Sequence, residues 1–515
     1  MLEEEESDAK KRLAPPANND GGGGGENKRA KQVEEDQPPF VNEYNGFDFS
    51  SCAASPPATI DRVEIADVTP ESFFENYVSK RKPCVIVGQL NNDDPKWAVS
   101  ERWTSSSYLK SKAGDVEISV ERREPASNEK FGKGNETKMP FGKFLDAIDS
   151  GDDSLYLTTQ DVKTDRGGRP RVLSPFMVRL SDDFPVCPKL TGNLIPQNIN
   201  VWMGCCNQSN GSSSGLHHDF HDNLYCIVEG RKKLDLYAPS DAQNLYTRGK
   251  LVRIHKNGRI NYEGEETNAD GSHAQAEKAL DASLKQETAV KELEAAEAAV
   301  EAGEDGAKER LEKAEKALDE AMEAVMDAEV DDDGGEGGED GEDFWEATEK
   351  RKQELLAKGA SAKDGEDTKE ENDDGDVVGN DEDLFDGEDE EERTVDKTVK
   401  NPLNFSLVDT TLDSEALQER FPLFAKATKA TVELLPNQML YLPASWFHEV
   451  TSYGGDGDKN NEKNGKEGKG RHIAFNYWFH PPDGSVFDAP YSSSFWENDW
   501  SLRRLDEVEQ PKTSL

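Results

Sequence analysis

Two short stretches of this sequence carry side chains of the kinds that bind metal ions. In the first stretch, residues 215–225, a histidine and an aspartate stand two positions apart at His217 and Asp219. Side chains alternate between the faces of an extended strand, so His217 and Asp219 project the same way and His218 projects to the opposite face. One imidazole beside one carboxylate supplies two ligands of a 2-His-1-carboxylate site, the ligand set of non-haem Fe(II) oxygenases.

The second stretch, residues 439–448, ends in His448, which we predict as the third ligand. His448 follows Asp219 by 229 residues, so only the folded chain can bring the two side chains together. An alternative stays open at this point. His221 has the same strand parity as Asp219, and these two residues could form a ligand pair instead.

The elements that must position these side chains are mainly short strands with alternating or continuous apolar residues. They are expected at residues 63–68, 82–88, 116–120, 155–157, 199–204, 224–228, 233–237, 403–408, 430–434, 438–442 and 472–479. A helix should begin at Pro70 with Thr69 as its N-cap, and a second should cover residues 139–148. The residues Glu229, Gly230 and Arg231 suggest a hairpin turn between two neighbouring strands.

A long segment without strand character separates the two groups of strands. Residues 275–302 and 307–330 are rich in Ala, Glu, Lys and Leu, which predicts two helices. Leu311, Ala314, Leu318, Ala321 and Val325 repeat as the a and d positions of a heptad, so we expect a coiled-coil hairpin. From Asp331 to Glu392 the chain has 28 Asp or Glu against 6 Lys or Arg, a composition that predicts disorder.

These patterns divide the 515 residues into four parts. We expect a disordered tail at 1–58, the first part of the folded domain at 59–255, an insertion at 256–400, and the second part of the domain with its tail at 401–515. Without the insertion, 84 positions separate Asp219 from His448, an ordinary distance within one domain. The predicted fold class is therefore an all-β core with accessory helices, divided in sequence but not in space.

Composition also limits the partners and the compartment. Only 34% of the residues are hydrophobic and the formal net charge is -45, which disfavours direct nucleic-acid binding. The acidic segment could attract basic proteins or could serve only as a spacer.

Six cysteines without a CxxC pair, no secretory signal and no apolar run of membrane-spanning length indicate an intracellular protein, cytoplasmic or nuclear. Basic clusters at 10–12 and 28–31 could form a nuclear signal or simply belong to a solvated tail. The oligomeric state stays open.

The order of several motifs resembles that of JmjC domains, and more narrowly that of the small JmjC-only protein hydroxylases, which include lysyl hydroxylases. In chain order, these motifs are Leu216-His217-x-Asp219, Asn223-Leu224-Tyr225, Gly230-x-Lys232, residues 440–448 (Leu-Tyr-Leu-Pro-Ala-Ser-Trp-Phe-His) and residues 473–478 (Ile-Ala-Phe-Asn-Tyr-Trp). The resemblance runs from about residue 63 to 500 outside the insertion. It implies a double-stranded β-helix, which is the jelly-roll barrel of cupins.

The resemblance also implies a set of cofactors and pocket residues. It implies Fe(II) held by His217, Asp219 and His448, with 2-oxoglutarate as co-substrate and dioxygen as oxidant. Lys232, 13 residues after Asp219, falls where family members keep a lysine for the distal carboxylate of 2-oxoglutarate. The remaining pocket positions that it implies are Tyr156 and Ser214 as supporting hydroxyls, Asn223 and Asn476 as polar groups, and Trp478 as a wall.

Three hypotheses for function follow. The first is an Fe(II)- and 2-oxoglutarate-dependent dioxygenase that hydroxylates a side chain of a protein substrate and releases succinate; the net charge favours a basic substrate. The second is a histone lysine demethylase with the same metal chemistry. The third is a non-catalytic cupin-like scaffold that presents an acidic arm. Variants at His217 or Asp219 separate the third hypothesis from the first two, because a scaffold does not need metal ligands.

Overall fold

The computed structural model describes residues 40–49, 58–90, 96–123, 136–165, 169–330, 402–455 and 470–509. The chain divides into two units, residues 1–41 and 42–515. Of the first unit only Phe40 and Val41 are described, and the two-residue strand β1, Val41–Asn42, lies at the boundary. All the other described residues belong to the second unit.

The strands fall into three groups along the chain. Those before the metal-binding stretch are β2 (Asp61–Glu64), β3 (Cys84–Val87), β4 (Glu117–Arg122), β5 (Glu136–Pro140), β6 (Leu155–Leu157), β7 (Pro196–Cys205) and β8 (Ser212–Ser213). Those within and after it are β9 (His217–His218), β10 (Asp222–Glu229), β11 (Arg231–Tyr237), β12 (Leu251–Ile254) and β13 (Ile260–Tyr262). Those after the insertion are β14 (Ala430–Leu434), β15 (Gln438–Leu442), β16 (Phe447–Tyr453) and β17 (Arg471–Phe479).

Two sheets contain most of these strands, whereas β12 and β13 pair with each other outside them. The larger has nine strands in the order β2-β3-β15-β10-β17-β7-β6-β4-β5, antiparallel throughout except for the parallel pair β2 and β3. The smaller has the order β14-β11-β16-β8, with β9 also pairing with β16. Strands from before and after the insertion alternate in both sheets, so the two parts of the sequence build one domain.

Apolar side chains from the facing sides of the two sheets form a common core. Ile227 and Leu440 of the larger sheet belong to the same buried cluster as Leu234 and Val432 of the smaller. The other side of the larger sheet is covered by helices, and there Trp103 packs edge-on against Phe475 with ring centroids 5.5 Å apart. Both faces of the larger sheet are therefore buried, which explains why its central strands are almost continuously apolar.

Helices lie mainly outside the sheets. The α-helices are α1 (Pro70–Phe73), α2 (Val99–Arg102), α3 (Ser106–Ala113), α4 (Phe141–Asp149), α5 (Pro175–Leu180), α6 (Ala274–Glu301), α7 (Ala307–Val330), α8 (Ser414–Arg420) and α9 (Phe495–Glu509). A π-helical turn, Phe74–Val78, continues α1, and short 3-10 helices occur at Ile65–Asp67, Ser181–Asp183, Lys189–Thr191, Pro239–Asn244 and Phe424–Lys426. The predicted N-cap Thr69 is observed, because its side chain accepts a hydrogen bond from the Ser72 backbone N–H. None of the described helices is long and apolar enough to cross a membrane.

The predicted helical hairpin is present as α6 and α7, which pack side by side. Its buried seam consists of alanines rather than leucines. The buried alanines are Ala282, Ala289, Ala296 and Ala299 on α6, and Ala307, Ala314, Ala321 and Ala328 on α7. Two of the predicted a and d residues are therefore in the seam, whereas Leu311, Leu318 and Val325 are only half-buried at its edges. The acidic segment that we predict to be disordered lies outside the described residues, as do both basic clusters of the N-terminal tail.

The chain at Gly230 does not form the predicted hairpin turn. β10 pairs with β15 and β17 in the larger sheet, whereas β11 pairs with β14 and β16 in the smaller. Gly230, with φ of +77°, is thus a corner at which the chain passes from one sheet to the other. A β-carbon there would lie 2.6 Å from the Tyr453 carbonyl oxygen, so glycine is needed for both conformation and space.

Three further boundaries differ from the sequence-based expectations. Strand β13 lies within the segment assigned to the insertion, and Ile260 and Tyr262 are buried there. The expected strand at 403–408 makes only isolated bridges, at Phe405 and Ser406, and is not a continuous strand. Packed structure also begins before residue 59, because Phe49 is buried edge-on against Trp446 at 5.2 Å. All three involve long-range contacts that local patterns do not reveal.

Candidate metal centre

Strand pairing brings the predicted ligands together. β9 and β16 are antiparallel, and their register places His448 directly opposite His217. The two imidazole centroids are 4.4 Å apart, and His448 Nε2 lies 3.7 Å from an Asp219 carboxylate oxygen. One ligand atom from each of these three residues lies within 4.8 Å of the others. The three side chains form a facial triad of the kind that holds Fe(II).

Backbone carbonyls orient both imidazole rings. His217 Nδ1 lies 2.9 Å from the Gly215 carbonyl oxygen, and His448 Nδ1 lies 2.9 Å from that of Trp446. A carbonyl oxygen only accepts hydrogen bonds, so each Nδ1 carries the proton and each Nε2 presents a lone pair. This tautomer is the one that a metal ion requires when it binds through Nε2, so the donor set fits a divalent metal.

Burial keeps the centre in the charge state that binds a cation. His448 is 4% exposed, and burial together with the neighbouring His217 lowers the pKa of His448 to about 4. Its ring is therefore neutral at pH 7, and no proton competes for Nε2. The Asp219 side chain is 22% exposed, so the centre is open on one side.

The other two histidines of the stretch have different surroundings. His218 projects to the opposite face, as strand alternation predicts, and its Nε2 lies 2.8 Å from the Tyr262 hydroxyl. His221 stacks on Trp478, with ring centroids 6.0 Å apart. Within the described part of the chain, neither histidine joins a group of three possible ligands. The geometry therefore favours His448 over the alternative pair of Asp219 and His221.

A buried carboxylate connects the two segments that carry the ligands. Asp222, the first residue of β10, accepts hydrogen bonds from the Arg81 guanidinium, from the Tyr441 hydroxyl at 2.6 Å and from the Ala444 backbone N–H at 2.9 Å. Nearby, the Ser445 backbone N–H donates to the Asp219 carbonyl oxygen at 2.7 Å. The turn before His448 is thus attached directly to the segment that carries Asp219.

The chain that returns from the insertion packs on the first ligand. The Phe405 ring stacks on the His217 imidazole, with centroids 4.8 Å apart and planes 12° from parallel. The backbone N–H of Ser406 donates to the Leu216 carbonyl oxygen at 2.9 Å. Residues 402–406 therefore form one wall of the metal centre, a role that the sequence did not indicate.

Lys232 lies beside a small polar cavity, where it contacts two lining residues, and like His448 it belongs to the smaller sheet. It is 0% exposed, and its Nζ donates to the Ser452 hydroxyl at 2.7 Å and lies 3.2 Å from His472 Nδ1. Burial lowers the pKa of Lys232 to about 7. The cavity is lined by Tyr156, Ser212, Ser213, Ser214, Val450, Ser452 and His472. The structure thus brings Lys232, Tyr156 and Ser214 together around this cavity.

Ser214 and the asparagines have specific partners. The Ser214 hydroxyl donates to the Gly215 carbonyl oxygen at 3.1 Å and accepts from the Val450 N–H at 3.1 Å, so it is occupied by backbone. The Asn476 side-chain amide donates to Asn223 Oδ1 at 3.1 Å. Strand register explains this pair, because β10 and β17 are neighbours.

Sequence reasoning missed several residues at this site. Ser452 could have been found, because it lies four positions after His448 on one strand and therefore on the same face. Trp202, whose indole N–H donates to Asn476 Oδ1 at 2.8 Å, and His472 carry no comparable local signal. For Phe405 the sequence predicts only a strand position. Its ring contact with His217 depends on the path of the chain after the insertion, which local patterns do not show.

Fold and site together define a cupin-like protein with a 2-His-1-carboxylate centre. Residues 70–485 match the cupin-like domain family. The chain is 32% identical over 459 residues to JmjC domain-containing protein 4 of Schizosaccharomyces pombe. The aligned region covers 85% of this chain and 88% of that protein. The chain therefore belongs to the cupin-like family of JmjC-domain proteins, and the predicted family and cupin-like fold are confirmed.

Two further relatives share shorter regions. Human bifunctional peptidase and (3S)-lysyl hydroxylase JMJD7 is 25% identical over 178 residues, 34% of this chain and 52% of that protein. Arabidopsis thaliana lysine-specific demethylase JMJ32 is 26% identical over 200 residues, 36% of this chain and 53% of that protein. The chain thus spans about half the length of these two relatives.

Proposed function

We propose that the protein is an Fe(II)- and 2-oxoglutarate-dependent dioxygenase that hydroxylates a side chain of a protein substrate. The observation that supports this proposal best is the triad of His217, Asp219 and His448, with Lys232 buried on the same sheet beside a small polar cavity. Three protein ligands leave positions on the metal for a bidentate co-substrate and dioxygen. A buried lysine is the group that a dicarboxylate needs at its other end.

The architecture supports the same proposal. We infer that the two facing sheets form the double-stranded β-helix, or jelly-roll barrel, of the cupins. The strands that carry His217, His448 and Lys232 belong to the smaller sheet, and Asn223 and Asn476 belong to the larger. The reactants would therefore lie between the sheets, where the protein excludes bulk water.

The chain contributes positioning and charge, while the metal supplies the redox chemistry. Fe(II) held by His217, Asp219 and His448 would supply the redox chemistry by which dioxygen and 2-oxoglutarate give succinate, carbon dioxide and a hydroxylated product, with one oxygen atom in succinate and the other in the product hydroxyl group. Lys232 and the Ser452 hydroxyl would bind the distal carboxylate of 2-oxoglutarate. The carbonyls of Gly215 and Trp446 keep the two imidazoles in the tautomer that binds through Nε2.

The substrate is proposed to be a basic protein. The chain has a net charge of -45, and the acidic segment of the insertion contributes about half of it, so long-range attraction favours Lys- and Arg-rich partners over nucleic acid. JMJD7 carries the name of a lysyl hydroxylase, which favours hydroxylation of a basic side chain. An intracellular location is proposed because the six cysteines of the sequence have neither a CxxC pair nor a disulfide-like spacing.

A second candidate function is lysine demethylation. It is favoured by the similarity to JMJ32, which carries the name of a lysine-specific demethylase. Both reactions begin with hydroxylation of a carbon atom, and demethylation follows when that carbon is an N-methyl group. The same centre could thus support either outcome, and the substrate decides between them.

The test of these functions is turnover of 2-oxoglutarate by the purified full-length protein with Fe(II), followed by mass spectrometry of peptides from captured basic proteins. Hydroxylation predicts a mass gain of about 16 Da, whereas demethylation predicts a loss of about 14 Da. The variants His217→Ala and Asp219→Ala should lose metal binding and turnover while they keep the wild-type circular dichroism spectrum. Full cellular function in these variants would instead favour the non-catalytic scaffold.

A further inference from the structure

His472 is a buried histidine that lines the polar cavity and contacts Lys232 directly. It is 2% exposed and lies on β17, and its Nδ1 is 3.2 Å from Lys232 Nζ. Its ring packs near that of Tyr156, with centroids 5.8 Å apart. A β-carbon on Gly204 would approach the Tyr156 ring to 2.9 Å and His472 to 3.2 Å. The glycine therefore leaves room for two rings to line the cavity together.

The contact with Lys232 fixes the hydrogen-bonding role of His472. When Lys232 is protonated its ammonium group can only donate, so Nδ1 accepts from it and the ring proton then lies on Nε2. Within the described part of the chain, no protein group makes a hydrogen bond with His472 Nε2. Because His472 lines the cavity with Tyr156, four serines and a valine, this N–H is a donor that a bound molecule can use.

We propose that His472 and Lys232 together bind the distal carboxylate of 2-oxoglutarate, with His472 donating from Nε2, and that the pair takes up a proton when the co-substrate binds. The inference rests on the proposed function, since it assigns the end of the same co-substrate pocket. His472 is thus a second donor to the carboxylate, beside the lysine that the family resemblance implies.

The charges around the pair explain the proton uptake. Burial lowers the pKa of Lys232 to about 7 and that of His472 well below its usual value. The neighbouring Cys206 thiol and Tyr156 hydroxyl have pKa values raised by burial, so both are neutral near pH 7. Among the described residues, no carboxylate pairs with Lys232. A bound carboxylate would supply that missing negative charge and raise the pKa of Lys232.

The more distant charged groups do not replace the carboxylate. Arg123 reaches the cavity wall, where its Nη1 donates to the Ser212 hydroxyl at 3.3 Å, and it also lies 3.6 Å from an Asp153 oxygen. Glu121 on β4 influences Tyr156, and not the lysine directly. Above pH 7 the free protein therefore loses the Lys232 proton and binding must restore it. The affinity for 2-oxoglutarate should fall as pH rises, by up to about tenfold per pH unit.

Calorimetric titration of 2-oxoglutarate into the full-length protein tests the proposal. Mn(II) replaces Fe(II) so that no turnover occurs, and each titration is run in phosphate and in Tris, whose ionisation enthalpies differ. At about pH 8 the wild type should take up close to one proton per co-substrate, and at about pH 6 almost none. The wild type should also bind more weakly at the higher pH.

Two variants test the role of Nε2. His472→Asn keeps a polar group near Lys232 but removes the Nε2 donor, and it should weaken binding roughly ten- to a hundredfold. His472→Gln places an amide N–H near the position of Nε2 and should keep most of the affinity. In turnover assays the loss in the asparagine variant should appear in KM for 2-oxoglutarate and much less in kcat. The matched control is His255→Asn, the same exchange at a buried histidine whose Nε2 lies 3.0 Å from the Thr267 carbonyl oxygen.

The outcomes separate this inference from the proposed function. If the asparagine variant binds 2-oxoglutarate as tightly as the wild type, or if the wild type takes up no proton at the higher pH, the role of His472 is overturned and the oxygenase proposal stands. If the wild type does not bind 2-oxoglutarate at all, both are overturned. Equal losses in the two His472 variants and in the His255 control would indicate a folding effect, which also contradicts the proposal.

Discussion

At the scale of single residues, Asp222 determines how the metal centre is assembled. Its carboxylate is 0% exposed, and it holds Arg81, the Tyr441 hydroxyl and the Ala444 N–H at one point. These partners come from two parts of the chain that are distant from Asp222 in sequence, one at Arg81 and the other at residues 441–444. The turn that carries His448 is therefore fixed to the strand that follows Asp219 before any metal binds.

The variant Asp222→Asn should lower the free energy of unfolding by about 3–5 kcal/mol, because it leaves the Arg81 charge buried without a full counter-charge. Urea denaturation measures the difference. The control is Asp146→Asn, which removes the same charge from an exposed pair with Lys110 and should cost about 0–1 kcal/mol. Equal effects in the two variants would mean that the buried pair has no special role.

What the sequence revealed at this scale depended on how local the signal was. His217 and Asp219 could be predicted as a ligand pair from the sequence, because residues two positions apart in a strand project from the same face. For His448 the residues alone left the alternative pair of Asp219 and His221 open, and Lys232 needed the family resemblance, since nothing nearby in the chain indicates their partners. His472 and Phe405 could not be predicted, because their roles come from register and chain path that only the folded structure defines.

At the scale of elements, the corner at Gly230 carries the chain from one sheet to the other. The variant Gly230→Ala should lower the free energy of unfolding by about 1–3 kcal/mol, because alanine is strained at positive φ and its β-carbon would meet the Tyr453 carbonyl oxygen. Chemical denaturation gives the value. Gly264→Ala is the matched control, since Gly264 also has positive φ but no atom within 4 Å of the added carbon. A smaller loss at Gly230 than at Gly264 would contradict the steric account.

The C-terminal helix α9 is attached to the end of β17 through a buried histidine. His480 stacks on Trp496, with ring centroids 3.3 Å apart, and the Trp496 indole N–H donates to the Asp270 carbonyl oxygen at 3.1 Å. Burial lowers the pKa of His480 well below its usual value, so the ring is neutral in the folded protein. Folding therefore excludes a proton that the unfolded chain binds below pH 6.5.

This pKa shift predicts the pH dependence of stability. The contribution of His480 is complete above the unfolded pKa of about 6.5 and falls by up to about 1.4 kcal/mol per pH unit as the pH drops below it. His480→Phe should flatten that part of the stability curve, as measured by urea denaturation at about pH 7.5 and about pH 5.5. The exposed His273, changed to Gln, serves as the control and should leave the slope unchanged. Parallel curves for wild type and His480→Phe would contradict the prediction.

Elements were easier to predict than their partners. The strand at 155–157 and the helices α6 and α7 agree closely with the expected positions, because alternation and composition are local properties. Sheet membership is not local, so the corner at Gly230 looked like a hairpin turn. Strand β13 was not predicted for a related reason, because Asn261 within it and Arg259 just before it are polar. Both are buried by hydrogen bonds to backbone carbonyl oxygens, as in the contact of Arg259 with the Phe220 carbonyl oxygen.

At the scale of the whole molecule, the insertion is proposed to govern the encounter with substrate rather than the chemistry. Replacing residues 274–400 with a Gly/Ser linker of about ten residues, while keeping 402–408, should leave 2-oxoglutarate binding unchanged. Association with a basic substrate should become about tenfold slower at low salt and less sensitive to ionic strength. Stopped-flow association at several salt concentrations measures this. The same salt dependence in both forms would mean that the acidic segment is only a spacer.

The alternation of early and late strands has a consequence for how the protein could be divided. β10 lies between β15 and β17, and β11 lies between β14 and β16, so each sheet is completed only by strands from both sides of the insertion. A cleavage within the insertion would give one fragment with His217 and Asp219 and another with His448. Neither fragment could hold the ion alone, but their interleaved strands would keep them joined after the cut. The protein is therefore suited to fragment complementation, with iron binding as the signal that the two pieces have met.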